Sequence, residues 1–471
     1  MTNHVTKINF KKLSTNLFFI LLLTSKSYSE DYYVSNEGSD TSNGSQAFPW
    51  QSIQHAANQA NAGDTIFVTS GNYDEVVVTK SSGQEELPIT FKKAENDEQP
   101  NVGGFDLRHA WIVVDDFNLT GQGCTLYSGV VSIRPGADNI TIKNNTLKNT
   151  PSKIYAIWHQ HWGIPPESST ISQNHFFDNG FHTLSLRGRD HRVSGNYFEN
   201  NLGHDAIRVL ASDVIISGNE FRNVSNNTGS PNHADIVQSF SVNGEVSINV
   251  TFERNLVIDC INTQIGMLED QKKEGQIRNW TFKNNLFLNV EYAFQTYVKE
   301  VSFYNNTFYR CGTNTGHPLL FRTLESRGTA DNGRIINNAF IHCGSDSNKP
   351  DRGWFLIENG VTGNYQNNNL IIGTNDMVKM PLIGNNGKIG NESINIGHDI
   401  AELFASHENL NFTPAPLSPL INSGADLDEV ELDYFGNPRN DGKIDIGAIE
   451  FSMKDLGLTP ENPTNLKISE N

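Results

Sequence analysis

One spacing recurs through the middle of the chain: an apolar residue, two residues of any type, an asparagine, one residue of any type and a second apolar residue. The asparagines of this pattern are Asn145, Asn174, Asn196, Asn219, Asn255, Asn285, Asn306, Asn338 and Asn368. They follow one another at intervals of roughly 21–36 residues, a range typical of stacked structural repeats. The pattern therefore predicts a solenoid.

The runs between the asparagines indicate which kind of solenoid this is. Segments such as Ile140–Ile142 and Val301–Phe303 alternate apolar and polar residues, and Gly and Asn interrupt them. A period of two predicts β-strands, and no useful amphipathic helix pattern follows residue 62. Strands of successive coils would stack about 4.8 Å apart. The asparagines are then predicted to form a ladder at one bend, where their amide groups bond to one another.

The N-terminal residues have the pattern of a secretory signal. Lys7, Lys11 and Lys12 precede an apolar run over 17–23, which is too short to span a bilayer, and small residues follow at 27–29. We expect export to the periplasm or the medium after removal of residues 1–29. The further boundaries predicted are 30–63 for an N-terminal segment with a capping helix, 64–410 for the solenoid, 411–450 for a C-terminal coda and 451–471 for a flexible tail.

The charge of the chain limits its partners. The formal charge is −18, and loss of the four lysines in residues 1–29 makes it −22. Such a field repels nucleic acid and acidic membranes, so neither is an expected partner, and we expect a monomer.

The four cysteines follow the repeat. Cys260, Cys311 and Cys343 each lie five residues after an asparagine of the pattern, which indicates small interior residues. Neither they nor Cys124 form a CxxC pair, so a zinc site is not indicated. A Cys311–Cys343 disulfide and buried free thiols both remain open.

Segments near both ends resemble a known group. Residues 32–40 (YYVSNEGSD), 49–54 (PWQSIQ) and 62–66 (AGDTI) resemble the N-terminal signature of exported proteins of the pectate-lyase-like superfamily, and 433–439 (DYFGNPR) with 445–450 (DIGAIE) is similar to their C-terminal coda. The resemblance implies an all-β fold, a single-stranded right-handed parallel β-helix with a short N-terminal capping helix. This fold hosts lyases, hydrolases, epimerases and binding proteins, so it leaves the activity open.

A narrower resemblance bears on chemistry. Residues 183–188 (TLSLRG), 193–198 (VSGNYF) and 206–208 (AIR) are similar to the core of polysaccharide lyase family six, whose members cleave alginate or dermatan-type chains by β-elimination. The arginine of that family's Arg-His-Gly run corresponds to Arg187, and Gly188 replaces its histidine. The family's lysine base has no counterpart in residues 155–160 (YAIWHQ).

Basic residues cluster between positions 182 and 208 of this acidic chain. Stacking of the strands that begin near 155, 182, 204, 233, 263 and 292 would place their outward side chains along one outer groove. Its predicted members are Trp158 or His159, Arg187, Arg208, Asp235, Gln264 and Tyr297. A register slip of one residue would exchange the two faces of any of these strands.

β-Elimination of a uronate needs a cation for the carboxylate, a base for the neighbouring proton and an acid for the leaving oxygen. Arg187 and Arg208 suit the first role, His159 or His233 the second and Tyr297 the third. The predicted substrate-binding residues are Trp158, His161, Arg189, Asp235, Gln264 and Glu269. The sequence indicates no resident cofactor or metal ligand set, and calcium dependence stays open.

Three function classes follow. The favoured one is a lyase whose partner is an acidic polysaccharide, because a neutral sugar would need no arginines. A glycoside hydrolase using paired carboxylates such as Asp205 and Asp235, or Glu269, is the second. The third is a non-catalytic protein that binds a polysaccharide or sits on a surface. Each outward Arg or His is also compatible with a solvated face or a salt bridge between coils.

Overall fold

The computed structural model describes residues 29–452 apart from residue 152 and the segments 202–203, 226–233, 242–243, 272–274, 345–354, 373–381, 384–387, 390–393, 396–399 and 440–441. Within these residues the chain is a right-handed parallel β-helix, as predicted. Apart from Ser29, the predicted signal sequence lies outside the described residues, as does the tail after residue 452. No helix in the described part is long and apolar enough to cross a membrane.

Each coil passes over three faces in turn. The first face is a parallel sheet whose strands are Asp31–Val34, Thr65–Val68, Ile89–Lys93, Ile112–Asp115, Thr141–Lys143, Thr170–Ser172, Arg192–Ser194, Val214–Ser217, Ser247–Glu253, Ile277–Lys283, Lys299–Tyr304, Arg334–Ile336, Tyr365–Asn367 and Lys388–Ile389. Their central residues, for example Ile142, Ile171 and Val193, point inward and are fully buried.

The second face follows the asparagine bend. Its strands are Asn118–Leu119, Thr146–Lys148, His175–Phe177, Tyr197–Glu199, Glu220–Arg222, Leu256–Ile258, Leu286–Leu288, Thr307–Tyr309, Ala339–Ile341, Leu370–Ile372 and Ile394–Asn395. The inward residues are mostly phenylalanines that stack coil on coil, with ring centroids 4.8 Å apart for Phe176–Phe198 and 4.5 Å for Phe198–Phe221.

The third face carries most of the residues that the sequence predicts for the site. Its strands are Gly129–Ile133, Tyr155–His159, Leu184–Arg189, Ile207–Ser212, Ala234–Phe240, Thr263–Glu269, Tyr292–Thr296, Leu319–Phe321, Phe355–Ile357 and Leu382–Ile383, and two earlier strands, Asn72–Val78 and Asn101–Leu107, span the second and third faces together. Short antiparallel pairs outside the coils are Thr323–Leu324 with Gly328–Thr329 and Phe404–Ser406 with Asn411–Pro414, and the 3-10 helices are Ile400–Glu402 and His407–Asn409.

The predicted asparagine ladder forms at the bend between the first and second faces. In each step the Nδ2 amide donates to the Oδ1 of the next coil, at 3.0 Å from Asn174 to Asn196 and 2.9 Å from Asn196 to Asn219. The last member is wrong by one residue: Asn338 bonds to Asn369, and Asn368 lies at the preceding left-handed position with φ of 47°. The run of three asparagines over 367–369 offers two adjacent registers, and the sequence pattern selected the wrong one.

The capping helix is confirmed over Ile53–Gln59, with Ser52 as its N-cap. Ile53, Ala56 and Ala57 are buried over the first coil. The helix N-terminus is satisfied by the coil beneath it, because the Glu75 carboxylate accepts the backbone N–H groups of Ile53 and Gln54 at 2.8 and 2.9 Å.

The C-terminal segment 400–452 returns along the outside of the later coils. Three corner asparagines bond to it: Asn284 accepts from Arg439, Asn305 donates to the Asp445 carbonyl and Asn337 donates to the Ala425 carbonyl. The Arg439 guanidinium is buried and pairs with Glu450. This segment encloses a second apolar cluster against the outer residues of the second face.

The cysteines lie where the repeat predicts. Cys260, Cys311 and Cys343 are buried in the main core, and all four cysteines are free thiols, which resolves the open alternative in favour of unpaired cysteines.

Candidate functional site

The two arginines that correspond to the predicted cation site lie on adjacent strands of the third face. Ser185 and Arg208 are register partners, and Arg187, two residues after Ser185, donates from Nη1 to the Ser185 hydroxyl at 2.9 Å. The Arg208 Nη2 atom donates to Gln238 on the next coil at 3.1 Å. Both guanidinium groups therefore lie on one outer surface, separated by a serine side chain.

Each guanidinium has a carboxylate partner. Arg187 Nε lies 2.8 Å from the Glu245 carboxylate, and the two side chains are 14% and 15% exposed. Arg208 Nη2 lies 2.7 Å from Asp205. Burial acts to raise the pKa of Asp205, but Arg208 and His182 outweigh it and hold the pKa well below its ordinary value. The basic cluster is thus largely neutralised by the protein itself.

An aromatic column borders the arginines. The Tyr155 ring stacks on His182, with centroids 5.6 Å apart, and on Trp158 at 6.2 Å. Burial raises the pKa of Tyr155, and the charges of Arg208 and Arg187 act in the opposite direction. The Tyr155 hydroxyl therefore keeps its proton at neutral pH, close to both guanidinium groups.

The segment after this column contains the exposed aromatic surface. Trp162 is 63% exposed and packs its edge against Trp158, which is itself almost fully buried. His161 contacts both rings. Burial lowers the pKa of His161, and the nearby charge of Arg187 lowers it further, so the imidazole is neutral at pH 7. Of the aromatics in this segment, Trp162 and not Trp158 is available to a ligand.

His159 does not lie on this surface, contrary to its predicted role as a base. The strand alternation directs Trp158 outward and His159 inward, where His159 is fully buried. Its Nδ1 atom accepts the Arg187 backbone N–H at 3.2 Å, and its ring lies 4.7 Å from that of His191. His191 in turn contacts the Arg187 carbonyl through Nε2 at 2.7 Å. The two histidines support the Arg187 backbone from inside.

Tyr297 is also displaced from its predicted role as the acid. It lies at the end of Tyr292–Thr296, three strands beyond that of Arg208 and four beyond that of Arg187, which at about 4.8 Å per coil is roughly 14 Å and roughly 19 Å away. Tyr297 is buried between the guanidinium groups of Arg322 and Arg327, each about 5.5 Å from its ring. Because that separation exceeds the reach of one glycosidic bond, Tyr297 does not act on a sugar held by Arg187.

The predicted binding residues separate into two groups. Arg189 is exposed and pairs with Glu167, beside the cluster, whereas Asp235 is fully buried beneath it, its backbone N–H 3.3 Å from Asp205. Gln264 and Glu269 belong with Tyr297: Gln264 accepts from Gln295, and Glu269 pairs with Arg327 at 2.8 Å. His233 lies outside the described residues.

Sequence reasoning missed Glu245 and Tyr155. Tyr155 begins one of the aligned strands, but the alternation pattern indicates Trp158 or His159 as the groove residue of that strand. Glu245 comes from the connection after Ala234–Phe240, which has no periodic pattern, so no signal in the sequence pairs it with Arg187.

No group of three or more His, Cys, Asp or Glu side chains among the described residues is arranged to hold a metal ion.

Comparisons with known proteins support the fold. No family model matches the chain. An uncharacterised protein of Bacillus subtilis (strain 168), YwoF, is 29% identical over 138 residues, which span 26% of this chain and only 29% of that relative's length. The solved complex of XylC with xylose superposes with a TM-score of 0.53 at 13% identity, over 90% of this chain and 98% of that one.

Two further solved structures are more distant. A mutant of the PL6 family alginate lyase AlyGC has a TM-score of 0.49 at 14% identity, over 82% of this chain and 55% of that one. The pectate lyase Pel9A has a TM-score of 0.40 at 14% identity, over 90% of this chain and 97% of that one.

Proposed function

We propose that the protein is an exported polysaccharide lyase that cleaves an acidic, uronate-containing chain by β-elimination on the third face. The observation that carries this proposal is the convergence of Arg187 and Arg208 on one surface, next to a neutral imidazole and a protonated phenol.

The arginines retain donors for a substrate. A guanidinium has five N–H donors. Among the described residues, no hydrogen bond involves Nη2 of Arg187 or Nη1 of Arg208. These groups can bind a uronate carboxylate, which neutralises its charge and makes the proton on the adjacent carbon removable.

His161 and Tyr155 supply the proton transfers. The neutral His161 imidazole accepts the proton from the carbon next to the carboxyl group, the carbon–oxygen bond to the neighbouring sugar breaks and a carbon–carbon double bond forms. The Tyr155 hydroxyl protonates the leaving oxygen. Both groups lie close enough to Arg187 for its charge to affect their pKa values. His233 remains a second candidate for the base.

The buried carboxylates disfavour the hydrolase. Asp205 and Asp235 are at most 1% exposed, and the pKa of Asp205 is lowered, so it would not serve as the acid that an inverting or retaining hydrolase needs.

The test is a screen of the mature protein on uronate polysaccharides, including alginate, polygalacturonate and dermatan sulfate. A lyase generates an unsaturated uronate that absorbs in the ultraviolet. Reducing ends without that absorbance would overturn the proposal in favour of a hydrolase, and binding without product would overturn it in favour of a non-catalytic binding protein.

A further inference from the structure

A second groove lies around the corner from the arginines, between the third and first faces. Its volume is about 490 Å³. It runs along five consecutive coils, whose corner residues are Trp111, Asn139, Ser168, Asp190 and Asp213, and Glu85 and Pro88 of the preceding coil close the end beside Trp111. At about 4.8 Å per coil the groove is roughly 19 Å long. Its shape therefore fits an extended chain lying along the solenoid axis and not a compact ligand.

Trp111 is the one bulky residue among the five corner residues of the groove. The corner residues all have a left-handed backbone, with φ of 58° at Trp111 and 56° at Asn139 and Asp213. Short polar residues tolerate this conformation, whereas a bulky side chain loses roughly 1 kcal/mol or more. The ring of Trp111 belongs to none of the buried apolar clusters and is partly exposed. Core packing therefore does not offset the strain. The ring of Trp111 instead forms part of the groove wall.

The charges of the groove differ from those of the third face. Glu85, Asp190 and Asp213 line it together with one arginine, Arg192, so the lining is net negative. The remaining polar lining is neutral and includes Thr141 and Thr170. A polyuronate would be repelled here. Carboxylates accept hydrogen bonds from sugar hydroxyls, and an indole covers the apolar face of a sugar ring.

We propose that this groove binds a neutral, linear polysaccharide, with Trp111 as the stacking platform at one end. Binding here would hold the protein on a neutral matrix while the third face acts on an acidic chain. The groove and the Arg187–Arg208 surface share no exposed residue among those described, and the buried His191 links the two, since it lines the groove and contacts the Arg187 carbonyl. Binding in the groove uses none of the elimination chemistry, and the proposal rests on the proposed function only for the choice of a sugar as ligand.

The experiment compares the full chain with Trp111→Asn by isothermal titration with cello-, xylo-, manno- and malto-hexaose. Asparagine occupies this corner in the next coil, at Asn139, and tolerates the left-handed backbone, so the variant should unfold at the same temperature as wild type or higher. Binding of at least one neutral hexasaccharide should weaken at least tenfold. Tyr127→Asn, which removes an exposed aromatic ring from another left-handed position outside the groove, is the matched control and should bind as wild type does.

Two results would overturn the proposal: wild type binding none of the neutral hexasaccharides, or Trp111→Asn binding as tightly as wild type. Titration with an oligouronate of the same length and with Arg187→Ala separates this site from the other. If uronate cleavage fails while neutral binding persists and depends on Trp111, only the proposed lyase function is lost.

Discussion

Arg187 and Glu245 are 58 residues apart in the chain, yet Nε and Oε1 lie 2.8 Å apart in a largely enclosed ion pair. Glu245 presents to Arg187 the same functional group that a uronate would present. A substrate carboxylate must therefore share or displace this contact, and Glu245 acts as a built-in competitor at the cation site.

Replacing Glu245 by Gln tests this competition. We expect Glu245→Gln to bind an acidic oligosaccharide several-fold more tightly, because the Arg187 charge is no longer neutralised from within. The measurement is titration calorimetry at low and moderate salt. Glu220→Gln, which breaks the Arg222–Glu220 pair on the second face, should leave binding unchanged. Weaker binding by Glu245→Gln would instead mean that Glu245 orients Arg187.

Removing Arg187 tests the proposed chemistry. Arg187→Ala should lower kcat/KM for an acidic polysaccharide on the order of 100-fold or more, the scale for loss of one group that stabilises developing charge. Steady-state rates of unsaturated-product formation provide the readout. The control is Arg222→Ala, which also deletes a part-buried, paired arginine but on another face. Equal losses in both variants would argue for a general effect on the fold.

The buried His191 predicts acid sensitivity. Burial lowers its pKa to about 4, from an ordinary value of 6.5. Between these values the unfolded chain binds the proton that the folded protein excludes, so stability is complete above pH 6.5 and is lost as the pH falls towards 4. The loss is on the order of 3 kcal/mol at about 1.4 kcal/mol per pKa unit. The free energy of unfolding, measured with urea from pH 7 to pH 4, should fall less steeply with pH for His191→Gln than for wild type. The same dependence on pH in both proteins would contradict this account.

The asparagine ladder predicts a large penalty for an interior substitution. Asn196 donates to the Ile171 carbonyl and to Asn219, and its Oδ1 accepts both the backbone and amide N–H groups of Asn174. Asn196→Ala leaves several buried groups unsatisfied and should reduce the free energy of unfolding by about 2–4 kcal/mol. Asn200→Gly, at a corner position with φ of 52°, should change it by about 0.5 kcal/mol or less. Denaturant midpoints measure both.

Thiol reactivity follows burial. Cys260 and Cys311 are fully buried, and burial raises the pKa of both, to about 12 for Cys260. Cys124 is partly exposed with a pKa raised to about 11. In the native protein a thiol reagent should label Cys124 slowly and the other three cysteines only after unfolding. Rapid labelling of more than one cysteine, counted by mass spectrometry, would show that the core opens.

The fold was predictable because its constraint repeats. Each coil requires an inward apolar residue on either side of the ladder asparagine, so the same sequence pattern recurs in coil after coil. A single ambiguous coil, such as that of Asn368 and Asn369, does not alter the prediction for the other coils. The capping helix was predictable from its position before the first coil.

The site was only partly predictable because it depends on register and on loops. The placement of Arg187 and Arg208 on neighbouring strands follows from coil spacing. Whether His159 faces in or out depends on a shift of one residue, which alternation alone does not decide. The Glu245 contact depends on a connection that has no repeat, and the distance to Tyr297 depends on how many coils intervene.

The returning C-terminal segment changes how the later coils come apart. A bare solenoid has contacts only between neighbouring coils, so it can fray one coil at a time from an open end. Here Asn284, Asn305 and Asn337, on three successive coils, are all bonded to the same stretch of chain, 88 to 155 residues away in sequence. Opening any one of these coils thus breaks a bond to a stretch of chain that also holds the other two. Their amide protons should therefore exchange with solvent as one cooperative unit, which is complete only once Ala425, Arg439 and Asp445 are in place.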